Sequence, residues 1–227
     1  MTDNSIFEDL FVLEIANNHW GSVERGKKII HEYSRVIRHN NVKAAIKFQF
    51  RDVDSFIHPD FADREDMRYV WKTKQTKLSE DQMSELVQYT RDQGMYPMAT
   101  CFDENSVDLF EKLDLDIMKV ASSDINDWPL LEKIVSIRKP TIVSSGGSSL
   151  KDVDDIVSFF SKKGVPLALN HCVSLYPSED FELELNQIDF LKNRFPDTVI
   201  GFSSHEMTSW QASMYISYAK GARSWER

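Results

Sequence analysis

The segment "PTIVSSGGSSLKDVDDIVSFFSKKG", residues 140–164, predicts a strand, a turn and a helix in succession. The run "PTIVSS" (140–145) is apolar on both faces, which is typical of a strand buried in a parallel sheet. Gly164 ends a helical pattern. The turn between strand and helix, with four serines and two glycines, is either an anion cradle or a flexible turn. The apolar residues at helix spacing are Leu150, Val153, Ile156, Val157 and Phe160.

The same strand–helix unit recurs along the chain and predicts a parallel sheet with helices outside it. About eight strands favour an α/β fold of the TIM-type (β/α)8 barrel, ending after the eighth strand. An open doubly wound sheet is the alternative. The sequence has no G-x-G-x-x-G fingerprint after the first predicted strand, which weakens this alternative. The strand candidates are 11–16, 44–49, 96–101, 116–122, 140–145, 166–172, 198–203 and 222–227.

Helix signals separate these strands. Ser79 is a candidate N-cap for the helix over 79–94, and Pro129 suits a first helical turn. Residues 50–77 form an unusually long, charged and aromatic connection, which in a compact domain is usually functional or a lid. The clearest helical patterns cover 79–94, 103–113, 126–136 and 149–164.

Composition limits the function classes. The 227 residues suit one domain over 1–227, and the net charge of -9 disfavours nucleic acid and anionic membranes as partners. Cys101 and Cys172 lie in apolar runs without a CxxC pair, which predicts reduced thiols in a cytoplasmic protein. Neither a signal peptide pattern nor an apolar run of about 18 residues occurs.

Polar residues follow nearly every predicted strand, where a parallel barrel carries its active site. Lys47 and Lys119 are the most informative, because desolvating an ammonium in an apolar strand costs several kcal/mol. Each is salt-bridged to a core carboxylate such as Glu14, binds a phosphate or carboxylate, or forms a Schiff base. The strand-end residues include Glu14, Lys47, Gln49, Thr100, Lys119, Ser122, Asp124, Ser144, Ser174, Tyr176, Ser203, Ser204, His205 and Glu206.

Two histidines lie near these strand ends. His205 is either a hydrogen-bonding residue or a metal ligand, and neither H-x-H nor H-E-x-x-H supports a metal. His171 lies inside a strand and is interpreted as a core histidine.

Seven motifs, in order across almost the whole chain, resemble the barrel domain of the sialic acid synthase family. They are "EIANNHWGS", "AAIKFQ", "ATCFD", "MKVASSDINDWPLL", "IVSSGG", "LNHCVSLYPS" and "IGFSSHE". That family condenses phosphoenolpyruvate with an N-acetylated amino sugar to give a nonulosonic acid and phosphate. The resemblance therefore implies an enzyme that forms a carbon–carbon bond without an imine.

Residue roles follow from the same resemblance. Glu14 and Asp124 are expected to be catalytic, and Lys47 and Lys119 to hold phosphoenolpyruvate. His205 is expected to bind a divalent metal, Mn2+ or Mg2+. The other expected substrate-binding residues are Gln49, Thr100, Ser122, Ser144, Ser174, Tyr176 and Ser203.

The chain departs from the family pattern. The usual "SDHT" reads "SSHE", "STGM" reads "SSGG", and Ser174 replaces an Asn. A second metal histidine is expected directly after Arg227, followed by the last outer helix and a small antifreeze-like domain. That domain reaches across a homodimer in the family. These 227 residues alone are therefore expected to have weak or no activity.

Two alternative functions stay open at this point. The first is a phosphoenolpyruvate/sugar-phosphate synthase of the octulosonate type, for which Arg51, Arg64 and Arg68 would supply the charge for an acceptor phosphate. The second is a ligand-binding module of a larger polysaccharide-biosynthesis protein. The acceptor sugar and the metal do not follow from the sequence.

Overall fold

Eight parallel strands close into a barrel in chain order in the computed structural model, which describes residues 3–227. They are β1 Leu10–Glu14, β2 Lys43–Phe50, β3 Tyr96–Cys101, β4 Ile117–Val120, β5 Thr141–Ser144, β6 Leu167–Cys172, β7 Val199–Ser203 and β8 Ser224–Glu226. β8 pairs with β1 and closes the sheet. All eight predicted strands are confirmed, and the open-sheet alternative is wrong. Residues 1 and 2 of the predicted domain lie outside the described residues.

Helices surround the barrel, and the fourth begins at its predicted cap, Ser79. They are α1 Val23–Asn40, α2 Val53–Phe56, α3 Arg68–Gln75, α4 Glu80–Asp92, α5 Glu104–Lys112, α6 Trp128–Ser136, α7 Leu150–Lys163, α8 Asn186–Arg194 and α9 Trp210–Lys220. Ser79 and Ser149 each form a capping box, which satisfies free backbone N–H groups at the starts of α4 and α7. Gly164 ends α7 in the left-handed conformation, which costs glycine little.

Some helices carry no clear sequence signal. α9 buries Ser213 and Ser217 against the barrel but exposes Trp210 and Tyr215, so no apolar stripe marks its inner face. The connection expected over 50–77 is also more regular than a loop. Phe50 ends β2, and the rest contains α2, a 3-10 turn and α3.

Side chains inside the barrel change from apolar to polar along the strands. A short 3-10 helix, Ser5–Phe7, places the fully buried Phe7 in the apolar cluster at the amino ends. Side chains alternate between the two faces of a strand, so every second residue points into the barrel. Nearer the carboxyl ends of the strands, these inward-pointing residues are polar. The apolar cluster is Phe7, Leu10, Val12, Ala45, Met98, Ile117, Ile142, Ala168 and Val199.

A larger core lies between the strands and the helices and includes Phe48, Phe110 and Phe160. Burial of this apolar surface stabilises the shell and leaves the carboxyl ends of the strands free to carry polar groups. Cys101 and Cys172 are buried and form no disulfide. Within residues 3–227, no helix is long and apolar enough to span a membrane.

Candidate active site

A cavity of about 640 Å³ opens at the carboxyl ends of the strands. It gathers residues from widely separated parts of the chain, because each parallel strand ends at the same rim. Asp124 is the one predicted site residue that does not line it. The predicted residues that do are Glu14, Lys47, Gln49, Thr100, Lys119, Ser122, Ser144, Ser174, Tyr176, Ser203 and His205.

Lys47 in β2 is buried between two carboxylates. Its Nζ lies 2.5 Å from Glu14 Oε2 and 2.8 Å from Glu226 Oε1. Burial opposes the charge, but the two carboxylates outweigh it and raise the pKa of Lys47. The salt bridge to Glu14 that the sequence offered as one alternative is therefore present, and Lys47 is a fixed cation.

Lys119 in β4 is buried in the same layer. Its Nζ donates to Ser144 Oγ at 2.6 Å and to the Val120 carbonyl at 3.0 Å. Burial lowers the pKa of Lys119, and the neighbouring Lys47 lowers it further, although Glu226 opposes this from 3.6 Å. A bound anion would therefore relieve repulsion between the two ammonium groups.

Glu226 in β8 is a functional candidate that the sequence analysis missed. Burial by itself would raise its pKa, but Lys119 and Lys47 outweigh burial and lower the pKa of Glu226 to about 2. Ser203 Oγ donates to its Oε1 at 3.2 Å. Glu226, like Lys47, is a charged residue within a buried strand. This feature of the sequence could have identified Glu226 as a candidate.

Glu14 and Asp124, the two predicted catalytic carboxylates, occupy different positions. Glu14 lines the cavity, and its Oε1 accepts a hydrogen bond from Gln49 Nε2 at 3.1 Å. Asp124 lies in the 3-10 turn after β4, where burial raises its pKa. Within the described residues, its Oδ2 is buried without a hydrogen-bond partner.

The turn after β5 brings its backbone against two serines. The Gly146 N–H donates to Ser122 Oγ at 3.1 Å. A Cβ at Gly146 would lie 2.3 Å from Ser174 Oγ, so a larger residue here would force that serine side chain to move. Ser149 caps α7 and lies outside the cavity lining.

His205 and Tyr176 form part of the rim. Their ring centroids lie 4.2 Å apart, and burial lowers the pKa of His205. No group of three His, Cys, Asp or Glu side chains suited to a metal ion occurs in the part of the chain that the structure describes. A metal at His205 therefore stays a prediction. His171, by contrast, is a core histidine as predicted, with Nε2 2.8 Å from the Leu183 carbonyl.

Glu206, a buried carboxylate just after β7, pairs with Arg227. The buried Glu206 accepts a hydrogen bond from Ser213 Oγ in α9, and its Oε2 lies 3.3 Å from Arg227 Nη1. Arg227 Nη2 also donates to the Glu206 carbonyl at 2.6 Å. These contacts tie together the residues that directly follow His205 and Glu226.

The fold and the site define a (β/α)8 barrel with a cavity at the carboxyl ends of its strands, in which two buried lysines meet two carboxylates. The chain belongs to the NeuB family, whose model matches residues 39–227. It is 32% identical to N-acetylneuraminate-9-phosphate synthase of Drosophila melanogaster over 86% of this chain and 54% of the relative. It is 27% identical to N,N'-diacetyllegionaminic acid synthase of Campylobacter jejuni over 86% of this chain and 60% of the relative. The predicted family is confirmed.

Solved structures agree with this membership. Spore coat polysaccharide biosynthesis protein E of Bacillus subtilis superposes with a TM-score of 0.80 at 26% identity, over 97% of this chain and 59% of that one. N-acetylneuraminic acid synthetase of Leptospira borgpetersenii, solved with citrate, gives a TM-score of 0.83 at 26% identity, over 96% and 71%. The chain spans about half the length of the curated relatives it matches, 54% for the Drosophila protein.

Proposed function

We propose that the protein condenses phosphoenolpyruvate with the open-chain aldehyde of an N-acetylated amino sugar, giving a nonulosonic acid and inorganic phosphate. One observation carries the proposal. Lys47 and Lys119 are buried on either side of Glu226, in a cavity that also presents Glu14 and the hydroxyls of Thr100, Ser144 and Ser203. The family and the names of the relatives support this choice of reaction.

Phosphoenolpyruvate carries a phosphate and a carboxylate, and the cavity floor offers suitable donors. The two ammonium groups would bind these anions through charge-assisted hydrogen bonds, with the hydroxyls of Thr100, Ser144 and Ser203 beside them. Glu226 would keep both lysines in place. Lys47 would exchange Glu14 for a substrate oxygen, which frees the Glu14 carboxylate.

The reaction needs three proton transfers. C3 of phosphoenolpyruvate attacks the aldehyde carbon, and the aldehyde oxygen takes up a proton to become a hydroxyl. Water then adds at C2 and loses a proton, and the new C2 hydroxyl gives its remaining proton to the departing phosphate as the C2–O bond breaks. We assign this proton work to Glu14, which lines the cavity. A catalytic role for Asp124, which lies in the turn outside the cavity lining, stays a prediction.

A divalent metal stays a prediction. Mn2+ or Mg2+ would polarise the aldehyde as a Lewis acid, with His205 as one of its ligands. Isothermal titration of Mn2+ into the protein and into His205→Ala tests this, because equal binding to both would remove His205 from the site.

Phosphate release tests the condensation. The protein is incubated with phosphoenolpyruvate, Mn2+ and N-acetylhexosamines in the gluco, manno and galacto configurations, each free and 6-phosphorylated. We expect acceptor-dependent release of phosphate and a product with the combined carbon skeleton. Absence of release with every acceptor, together with binding of phosphoenolpyruvate, would favour the ligand-binding module. A homodimer and a cytoplasmic location also stay predictions, the first testable by light scattering.

A further inference from the structure

A second cavity, of about 710 Å³, lies between α7 and α8. The rest of its wall is formed by the turn after β5 and by the residues at the end of β6. Lys47, Lys119 and Glu14 line the active-site cavity and not this one. We call this second space the interhelical cavity.

Most of the wall of the interhelical cavity is apolar. Leu150, Leu175 and Phe190 contribute to it and are 42–43% exposed, whereas Val153 and Leu191 are buried. Among the described residues that line it, the one charged side chain is Glu184. The cavity therefore favours an apolar body and disfavours an anion, in contrast to the lysine-containing cavity beside it.

His171 brings an unused hydrogen-bond acceptor to this wall. Its side chain is 5% exposed, and its Nε2 lies 2.8 Å from the Leu183 carbonyl. A carbonyl oxygen accepts, so Nε2 carries the hydrogen and Nδ1 keeps a lone pair. Burial lowers the pKa of His171, which keeps the ring neutral. Within residues 3–227, no hydrogen bond reaches Nδ1, so this acceptor is available to a ligand.

Ser148 adds a hydroxyl to the same wall. Its Oγ is buried, and within the described residues it has no hydrogen-bond partner. The start of α7 does not need this hydroxyl, because Ser149 already caps the helix. A buried polar group without a partner costs free energy, which a ligand that hydrogen-bonds to it would recover. The interhelical cavity thus combines apolar walls with one free acceptor and one free hydroxyl.

The turn after β5 forms a shared wall between the two cavities. Gly147, Cys172 and Ser174 line both of them. Ser144 precedes this turn and accepts a hydrogen bond from Lys119 in the active-site cavity. A molecule in the interhelical cavity would therefore press on the segment that carries an active-site hydroxyl.

We infer that the interhelical cavity is a second ligand site, which takes an uncharged molecule with an apolar body and a hydroxyl group and acts on the neighbouring anion-binding cavity. The ligand hydroxyl donates to His171 Nδ1, and a ligand oxygen accepts from Ser148. The apolar body replaces water against Val153 and Leu191. This inference does not depend on the proposed condensation.

NMR of Leu and Val methyl groups tests the site with three probes that share one apolar ring. Cyclohexylmethanol, its methyl ether and cyclohexanecarboxylate are titrated separately into the labelled protein. We expect the alcohol to shift the methyl resonances of Val153, Leu175 and Leu191 with a Kd of about 1 mM, a common value for a ligand of this size. The ether cannot donate and should bind about tenfold more weakly. The carboxylate should leave these resonances unchanged.

Matched variants separate the hydrogen bond from the apolar contact. His171→Leu should bind the alcohol and the ether with equal affinity, because the acceptor is gone. Leu175→Asn changes an exposed side chain, so it should fold even if the core variant does not, and it should weaken binding of the alcohol about fivefold. Val36→Asn, on the exposed face of α1, should match the wild type.

Isothermal titration of phosphoenolpyruvate, with and without saturating cyclohexylmethanol, tests the action on the active site. We expect the Kd of phosphoenolpyruvate to change about fivefold. Unshifted methyl resonances, or equal affinity of the wild type for the alcohol and the ether, would overturn the site. An unchanged Kd would overturn its action on the anion-binding cavity. If phosphoenolpyruvate does not bind at all, the proposed function fails, and the methyl NMR still decides about the interhelical cavity.

Discussion

At the scale of single residues, Glu226 has the largest expected effect on stability. It is buried between Lys47 and Lys119, and a neutral side chain there would leave Lys119 without a carboxylate partner and Lys47 with Glu14 alone. We expect Glu226→Gln to lower the free energy of unfolding at pH 7 by about 3 kcal/mol. Urea denaturation of both proteins measures it, with Glu8→Gln on the exposed surface as the control.

The same residue predicts a pH dependence of stability. The pKa of Glu226 is lowered from 4.5 to about 2 in the folded protein, so its ionisation stabilises the fold above about pH 4.5. That contribution is lost as pH falls toward 2. The difference in unfolding free energy between wild type and Glu226→Gln should therefore shrink from pH 6 to pH 3. A constant difference over this range would contradict the assignment.

Two serines in and beside the turn after β5 are expected to have different roles, one in binding and one in stability. Ser144 lies in the cavity and accepts a hydrogen bond from Lys119, whereas Ser149 caps α7. We expect Ser144→Ala to weaken phosphoenolpyruvate binding about tenfold with little change in stability. Ser149→Ala should cost about 1 kcal/mol of stability and leave binding unchanged. Titration calorimetry and urea denaturation of both variants measure the two effects, and the reverse pattern would contradict the division.

At the scale of elements, Glu206 and Arg227 connect the ends of β7 and β8. Glu206 is fully buried, whereas Arg227 is partly exposed. Arg227→Met should therefore destabilise the protein by about 2 kcal/mol, because it leaves the buried Glu206 carboxylate without a counter-charge. Adding Glu206→Gln should recover part of that loss. A double-mutant cycle by urea denaturation measures the coupling, and additive effects would show that the pair does not hold the two strand ends.

The elements also show how far sequence reasoning reaches. The strands were predictable because buried parallel strands are apolar on both faces, and α4 and α7 because Ser79 and Ser149 mark their starts. α9 was not, because it buries Ser213 and Ser217 and exposes its aromatic side chains. Local pattern cannot reveal a helix whose inner face is polar.

Membership of the site could be predicted for residues whose position at a strand end is enough to place them in the cavity. Residues at the carboxyl ends of strands converge whatever loops join them, so Lys47 and Lys119 were placed together correctly. The sequence was a poorer guide to which charged side chains pair with each other. The partner of Lys47 at 2.8 Å is Glu226, and nothing in the three-residue β8 indicates which strand residue it faces. The placement of Asp124 outside the cavity lining likewise depends on the path of a turn.

At the scale of the whole molecule, the barrel interior is closed at the amino ends of the strands. Phe7 is fully buried in the apolar cluster there, and the active-site cavity opens at the opposite end. Ligands therefore enter and leave the active-site cavity through one mouth. The lysines lie at the floor, and the exposed Tyr176 lies at the rim.

A cavity with a single opening restricts the order in which two ligands can bind. The ligand held by the buried lysines must enter first, because an acceptor bound above it would block its path. If the proposed condensation is correct, an unreactive acceptor analogue should inhibit uncompetitively against phosphoenolpyruvate, and an unreactive phosphoenolpyruvate analogue noncompetitively against the acceptor. Random order, seen as noncompetitive patterns in both directions, would contradict this consequence of Phe7 sealing the far end of the barrel.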